Sequence, residues 1–226
     1  MPARNTIKTY AEDTYYHIYN RGVEKRNLFL DENDYLLFLH LLKIYLSSPQ
    51  KTDSPLVTRR DLVRPRPARS LSEEVRLSAY CLMPNHFHLL LLQKTKDGMT
   101  KLMRKISTTY AMYFNEKYDR VGTLFESPYK AIGIDSEHYL LHLSRYIHLN
   151  PTELTKLTRR DLVSYPYSSY AYYLGKKHAG WLNPSPVLSY FHSGGKSILK
   201  GVPSYQEFVE SYQSDPAEVL GSLTLE

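Results

Sequence analysis

The sequence predicts an α+β fold with a ferredoxin-like antiparallel core and a helical C-terminal extension. Four short runs have strand chemistry, and two longer runs with helical periodicity separate them. The resulting order, β-α-β-β-α-β, is the split ferredoxin-like pattern. One more helical run follows the last strand and is limited by Pro151. The core is expected over residues 1–155 and the extension over residues 156–226.

Thr14 to Asn20 (TYYHIYN) reads as the first strand, closed by Arg21-Gly22. Asp31 or Asp34 can cap a helix that runs to about Tyr45, with Leu36, Leu37, Leu39, Leu41 and Leu42 supplying its apolar surface. Ser47 to Ser72 is rich in Pro, Arg and Ser and reads as a long loop or arm. Leu77 to Met83 and His86 to Gln93 form two strands joined at Pro84-Asn85. Thr100 opens a second helix reaching Lys117, its polar face carrying Lys101, Arg104 and Lys105. Tyr129 to Ile134 is the fourth strand, and Asp135 or Ser136 starts the helix before Pro151. In the extension, Ser168 to Leu174 and Tyr205 to Tyr212 are short helical candidates.

Bulk properties narrow the class. At 226 residues the chain can bury a sizeable core, and no apolar run approaches membrane-spanning length. A single cysteine, Cys81, excludes an internal disulfide framework, and the expected location is the cytoplasm. Lys and Arg exceed Asp and Glu by 29 to 23, giving a net charge of +6 that favours polyanionic partners. Tyrosine is abundant, 21 against 7 Phe, which suits either stacking on unpaired bases or the edges of a core.

The chemistry concentrates in SAYCLMPNHFHLLLLQ, Ser78 to Gln93. Side chains at i and i+2 of a strand leave one face, so His86 and His88 point together while Phe87 points away. Two convergent imidazoles are half of a metal site. The helix before Pro151 carries His138, His142, Tyr146 and Asn150 at spacings of four, beside an apolar face of Leu140, Leu143 and Ile147. Docking that apolar face on the sheet would bring Tyr146 and Asn150 over the histidine strand. Two imidazole nitrogens and an amide oxygen suit Mg²⁺ or Mn²⁺ with positions left open for a phosphate oxygen and water. Tyr146, one turn from Asn150, is then the candidate nucleophile toward phosphorus.

The ordered segments YHIYNRG, AYCLMPNHFHLLL, GTLFE and SRYIHLNP resemble those of the single-tyrosine HUH transposases, including the REP-associated tyrosine transposases. The resemblance runs from about Thr14 to Gly175 and includes YPYSSY. It implies metal-dependent cleavage and rejoining of single-stranded DNA at hairpin-flanked sites, through a 5′-phosphotyrosine and a free 3′-OH. His86 and His88 match the paired histidines of the motif, Tyr146 the nucleophile and Asn150 the third ligand. The first 155 residues would then be the HUH nuclease core, acting as a monomer or a homodimer. One departure is Ser127-Pro128, where related sequences often carry Gly-Arg; the expected consequence is a lost phosphate contact.

Candidate phosphate contacts are Arg21, Lys101, Arg104, Lys105, Lys130 and Arg145. Tyr110 and Tyr113 are rivals to Tyr146; His138 and His142 have the spacing of a second metal pair, but the simpler expectation is that they line the helix near the DNA or face solvent. Two other functions stay open at this level. One is a nucleic-acid-binding protein without catalysis; the other is a phosphodiester hydrolase using activated water, with Tyr146 only positioning the substrate. The hexapeptide TRRDLV occurs at Thr58 to Val63 and again at Thr158 to Val163 without matching flanks, so it is not a structural repeat.

Overall fold

A computed structural model describes residues 10–48, 69–154, 157–191, 202 and 204–212. The first TRRDLV copy and most of the expected arm at Ser47 to Ser72 lie outside those residues.

The four strands are β1 (Thr14–Arg21), β2 (Val75–Met83), β3 (His86–Gln93) and β4 (Lys130–Ile134). They form one sheet in the order β2-β3-β1-β4, and every neighbouring pair is antiparallel. The helices are α1 (Glu32–Leu46), α2 (Gly98–Lys117), α3 (Glu137–Leu149) and three short ones, α4 (Tyr170–Tyr173), α5 (Ser185–Leu188) and α6 (Tyr205–Glu210). The α+β expectation holds, with small shifts: β2 begins at Val75 rather than Leu77, and α2 at Gly98 rather than Thr100.

Strand alternation divides the sheet into two faces. Ile18, Leu82, Phe87, Leu89 and Leu91 point to one face and pack with α1 and α2 in the larger core cluster. Ala79, Cys81, Met83 and Leu90 point to the other and pack with Leu140, Leu143 and Ile147 of α3. The helix therefore docks through the apolar face expected of it. Much of the tyrosine is structural, since Tyr80, Tyr110 and Tyr170 are among the largest fully buried side chains.

α1 is capped as expected: the Asp31 carboxylate accepts from the Asp34 amide, and Asp34 returns a bond to Asp31. Its inward stripe differs from the leucine set read from sequence. Phe38, Leu41, Leu42, Tyr45 and Leu46 are buried, whereas Leu36 is 51% exposed. With apolar residues all round this helix, composition does not select the inner face; the position of the sheet does.

The chain beyond α3 is tied to the core. Residues Tyr167 to Ser169 run along the free edge of β2, where the Leu82 amide donates to the Tyr167 carbonyl (2.9 Å) and the Ser169 amide to the Tyr80 carbonyl (2.9 Å). This pairing protects an edge that would otherwise present unsatisfied backbone groups. α6 then covers the outer side of α3. At the opposite end, Gly22 packs β1 against the β2–β3 turn, its amide donating to the Asn85 carbonyl at 2.9 Å. A Cβ there would lie 2.2 Å from the Arg26 carbonyl oxygen, so only glycine fits.

Candidate active site

The second sheet face carries the chemistry. In the β1–β3 register Tyr19 lies opposite His88 and Arg21 opposite His86. Directly opposed residues share a face, so His17, Tyr19, Arg21, His86 and His88 form one patch. Lys130 of β4, opposite Tyr19, joins it from the other side.

α3 lies across this patch. Ser136 caps its first turn through the Tyr139 amide, and Pro151 ends it. The Tyr146 ring stands edge-on to His88, centroids 5.3 Å apart and planes at 82°, and 6.1 Å from the ring of His17. One turn later, Asn150 Nδ2 donates to the Tyr146 carbonyl at 2.8 Å, and its Oδ1 faces His86 Nε2 at 3.2 Å. The structure thus brings His86, His88, Tyr146 and Asn150 together.

The electrostatics of the two histidines are informative. Burial lowers the pKa of His86, with the nearby Arg21 cation acting in the same direction against the Asn150 contact. Burial, then the adjacent His86 and His17 rings, holds His88 well below the ordinary imidazole value. Both rings are therefore neutral near pH 7, each with one N–H and one lone pair. His86 lies between two carbonyl oxygens, Asn85 Oδ1 at 2.7 Å from Nδ1 and Asn150 Oδ1 at 3.2 Å from Nε2. A neutral ring can donate to only one of them. If the shorter contact holds the proton, His86 Nε2 and Asn150 Oδ1 present two lone pairs to each other.

That arrangement fits a divalent cation. His88 Nε2 is buried without a well-formed hydrogen bond, Asn150 being its polar neighbour, and adds a third donor. Among the described residues no group of three His, Cys, Asp or Glu side chains makes an alternative metal cage. The donors available to such an ion are two imidazoles and an amide oxygen.

Two members of the site were not picked out as site residues from the sequence. His17 Nε2 lies 2.8 Å from His88 Nδ1, and Asn85 Oδ1 lies 2.7 Å from His86 Nδ1. The signal for His17 was present in Tyr15-x-His17-x-Tyr19-x-Arg21, the same alternation that singled out His86 and His88. Asn85 belongs to the turn and carries no periodic signal.

The rival tyrosines lie elsewhere. Tyr110 is fully buried in the α1–α2 layer with its hydroxyl on the Leu28 carbonyl, and Tyr113 donates to Asp34 at 3.2 Å. His138 and His142 do not make a second metal pair. Arg145 Nη2 is hydrogen-bonded to His142 Nδ1, and a guanidinium there opposes any cation. Burial, then Arg145 and His138, lowers the His142 pKa to about 4.

The expected phosphate contacts separate into three groups. Arg21 and Lys130 flank the site: Arg21 Nε pairs with Glu126 Oε2 at 2.8 Å, and the Lys130 ammonium lies 5.7 Å from the Tyr19 ring centroid. Lys101, Arg104 and Lys105 sit on α2, in the layer across the sheet from the histidines. Lys101 pairs with Glu74 (2.6 Å) just before β2, at the strand end remote from His86, while Lys105 lies over Tyr45. Arg145 is a correction. It is 5% exposed, and its guanidinium carbon lies 4.3 Å from the Phe208 ring and 3.3 Å from the Tyr212 ring, because α6 packs over it.

Residues 68–150, which contain both histidines, Tyr146 and Asn150, match the family model for IS200-like transposases. No curated protein matches the sequence. Among solved structures, the chain resembles a REP-associated tyrosine transposase bound to a REP hairpin, with a TM-score of 0.54 at 14% identity over 88% of this chain and 100% of the other. A putative transposase from Deinococcus radiodurans R1 aligns at 15% identity over 65% of this chain and 95% of its own, with a TM-score of 0.36. The first likeness shows the ferredoxin-like fold with its covering helices. Among the described residues, no helix is long and apolar enough to cross a membrane.

Proposed function

We propose that the protein is a metal-dependent single-stranded DNA endonuclease and strand transferase that works through a 5′-phosphotyrosine. The observation that carries this reading is the convergence of Tyr146 and Asn150 on His86 and His88, on one buried sheet face. Tyr146 is assigned as the nucleophile, and His86, His88 and Asn150 as ligands of Mg²⁺ or Mn²⁺. A bound divalent ion supplies Lewis-acid polarisation of the scissile phosphate.

The Tyr146 phenolic oxygen forms a bond to phosphorus as the bond from phosphorus to the 3′-oxygen breaks. The phenol loses its proton, the leaving 3′-oxygen gains one, and the 5′-phosphate stays on the tyrosine. Attack by a 3′-OH on that phosphotyrosine reverses the balance and joins strands, so no nucleotide cofactor is required. The α3 backbone and the Asn150–Tyr146 hydrogen bond hold nucleophile and ligand at a constant separation, which is the orientation contribution of the scaffold.

The proposed substrate is single-stranded DNA with an adjacent hairpin, in line with the hairpin held by the structural relative. Arg21 and Lys130 beside the site are the assigned phosphate contacts, with Arg104, exposed on α2, a more distant one. Residues 1–155 are taken as the catalytic core and 156–226 as the extension.

The decisive experiment is an adduct assay with Mn²⁺ or Mg²⁺ and labelled single-stranded DNA bearing candidate hairpins. A denaturation-resistant, metal-dependent adduct is expected with wild type and not with Tyr146→Phe. Cleavage by both proteins without an adduct would instead establish hydrolysis by water. Binding of the hairpin-bearing DNA without cleavage by either would establish a binding protein.

A further inference from the structure

We propose that His17 is a positioning residue for metal binding, accepting the Nδ1 proton of His88 and so keeping His88 Nε2 deprotonated for the ion. This rests on the reading of His86, His88 and Asn150 as metal ligands.

The geometry begins in the strand register. Tyr19 is the direct partner of His88, and His17 is its diagonal neighbour on the same face, within reach of a long side chain. The two imidazoles stack at 21° with centroids 5.1 Å apart, and His17 Nε2 lies 2.8 Å from His88 Nδ1. Both rings are fully buried and held on neighbouring strands, so their pairing is rigid.

One proton lies between these two nitrogens, and its owner decides the chemistry of His88. If His17 donated it, the remaining proton of neutral His88 would sit on Nε2. The outer nitrogens of the pair, His88 Nε2 and His17 Nδ1, are both buried, so the cost of a buried N–H is the same for either owner and the demand of the metal decides. An N–H at Nε2 has no lone pair to offer a cation. If His88 donates from Nδ1, Nε2 is an acceptor, which is the form a metal needs. Metal-ligating histidines characteristically give their second N–H to a fixed acceptor, which sets both tautomer and ring orientation. Asn85 Oδ1 stands in that relation to His86, 2.7 Å from its Nδ1. His17 completes the pattern for His88 with an imidazole acceptor.

The His17 ring also stands edge-on to Tyr146, at 80° and 6.1 Å between centroids. One side chain thus backs the proposed ligand and borders the proposed nucleophile.

The test combines a tautomer measurement with a metal titration. In ¹⁵N-histidine long-range spectra of the metal-free wild type, His88 is expected as the Nδ1–H form. Mn²⁺ titrations would compare wild type, His17→Gln, which keeps an acceptor, and His17→Leu, which does not. The expected result is near-wild-type affinity for His17→Gln and a loss of about 10- to 100-fold for His17→Leu. An Nε2–H tautomer in wild type, unchanged affinity in His17→Leu, or equal loss in both variants would overturn the role of His17. Should His17→Leu fail to fold, the wild-type tautomer alone decides. Wild type that takes up no Mn²⁺ or Mg²⁺ would instead overturn the metal reading itself, and the assignment of His17 with it.

Discussion

Asn150 holds Tyr146 through a short backbone bridge: its Nδ2 donates to the Tyr146 carbonyl at 2.8 Å, which turns its Oδ1 toward His86. The side chain therefore serves as a helix-end cap and as the proposed third ligand at once. Asn150→Ala should weaken Mn²⁺ binding by about 10- to 100-fold, as measured by calorimetry or by the free-ion electron paramagnetic resonance signal. Asn150→Asp keeps an oxygen donor and adds charge, so it should bind the ion at least as well as Asn150→Ala does. Equal affinity of wild type and Asn150→Ala would remove Asn150 from the ligand set.

DNA binding should separate the basic residues by location. Arg21→Ala and Lys130→Ala should each weaken single-stranded DNA binding and reduce the slope of log K against log salt by about 0.7, one phosphate contact each. Lys101→Ala, across the sheet and paired with Glu74, should leave the slope unchanged. A fluorescence anisotropy titration at several salt concentrations reads all three.

Arg145→Ala should act on stability instead. The guanidinium lies against Phe208 and Tyr212 under α6, so its loss should cost about 2 kcal/mol in chemical denaturation. A changed salt slope with unchanged stability would return Arg145 to the list of phosphate contacts.

The α3–α6 contact has a polar lock. His148 Nδ1 lies 2.7 Å from the Tyr205 hydroxyl, which in turn donates to Ser144 Oγ at 3.1 Å, while His148 Nε2 meets Ser169 Oγ at 2.7 Å. Tyr205→Phe leaves His148 Nδ1 without that partner in a fully buried position. The expected cost is about 1–3 kcal/mol. Hydrogen exchange should show faster opening of the α3 amides, and unchanged protection would mean that apolar packing alone holds α6.

Asp34 should make the fold acid-sensitive. Burial would raise its pKa, but bonds from Lys117, the Leu30 amide, Tyr118 and the Asp31 amide outweigh it and hold the carboxyl below the usual range. A carboxylate depressed in the folded state stabilises fully above its unfolded pKa of about 3.9, and that contribution is lost as pH falls through the folded value. Asp34→Ala should destabilise by about 3 kcal/mol at neutral pH, because it removes the buried partner of Lys117 and Tyr118. The gap between variant and wild type, followed by thermal unfolding, should narrow in strong acid.

Local pattern carried much of this protein into view. Alternation in His86-Phe87-His88 put both imidazoles on one face, and four-residue spacing put Tyr146 and Asn150 a turn apart on one helix. These relations hold within a single element, where backbone geometry alone sets them. The same alternation in β1 placed His17 beside Tyr19 and Arg21, but choosing His17 required knowing that β1 is the neighbour of β3, a pairing between segments about seventy residues apart.

Layer and burial were settled only by the assembled tertiary structure. Arg145 reads as a surface cation because nothing near it in sequence hides it; the rings that cover it come from Phe208 and Tyr212 of the extension. Lys101, Arg104 and Lys105 read as plausible partners of the site until α2 takes the opposite face of the sheet. In α1, apolar on every side, the sheet chose Phe38 and Leu41 over Leu36. Sequence determined which residues share a strand face or a helical turn, because those repeats are fixed by covalent geometry. Which faces meet was decided by long-range burial, whose free energy depends on surfaces that no local window contains.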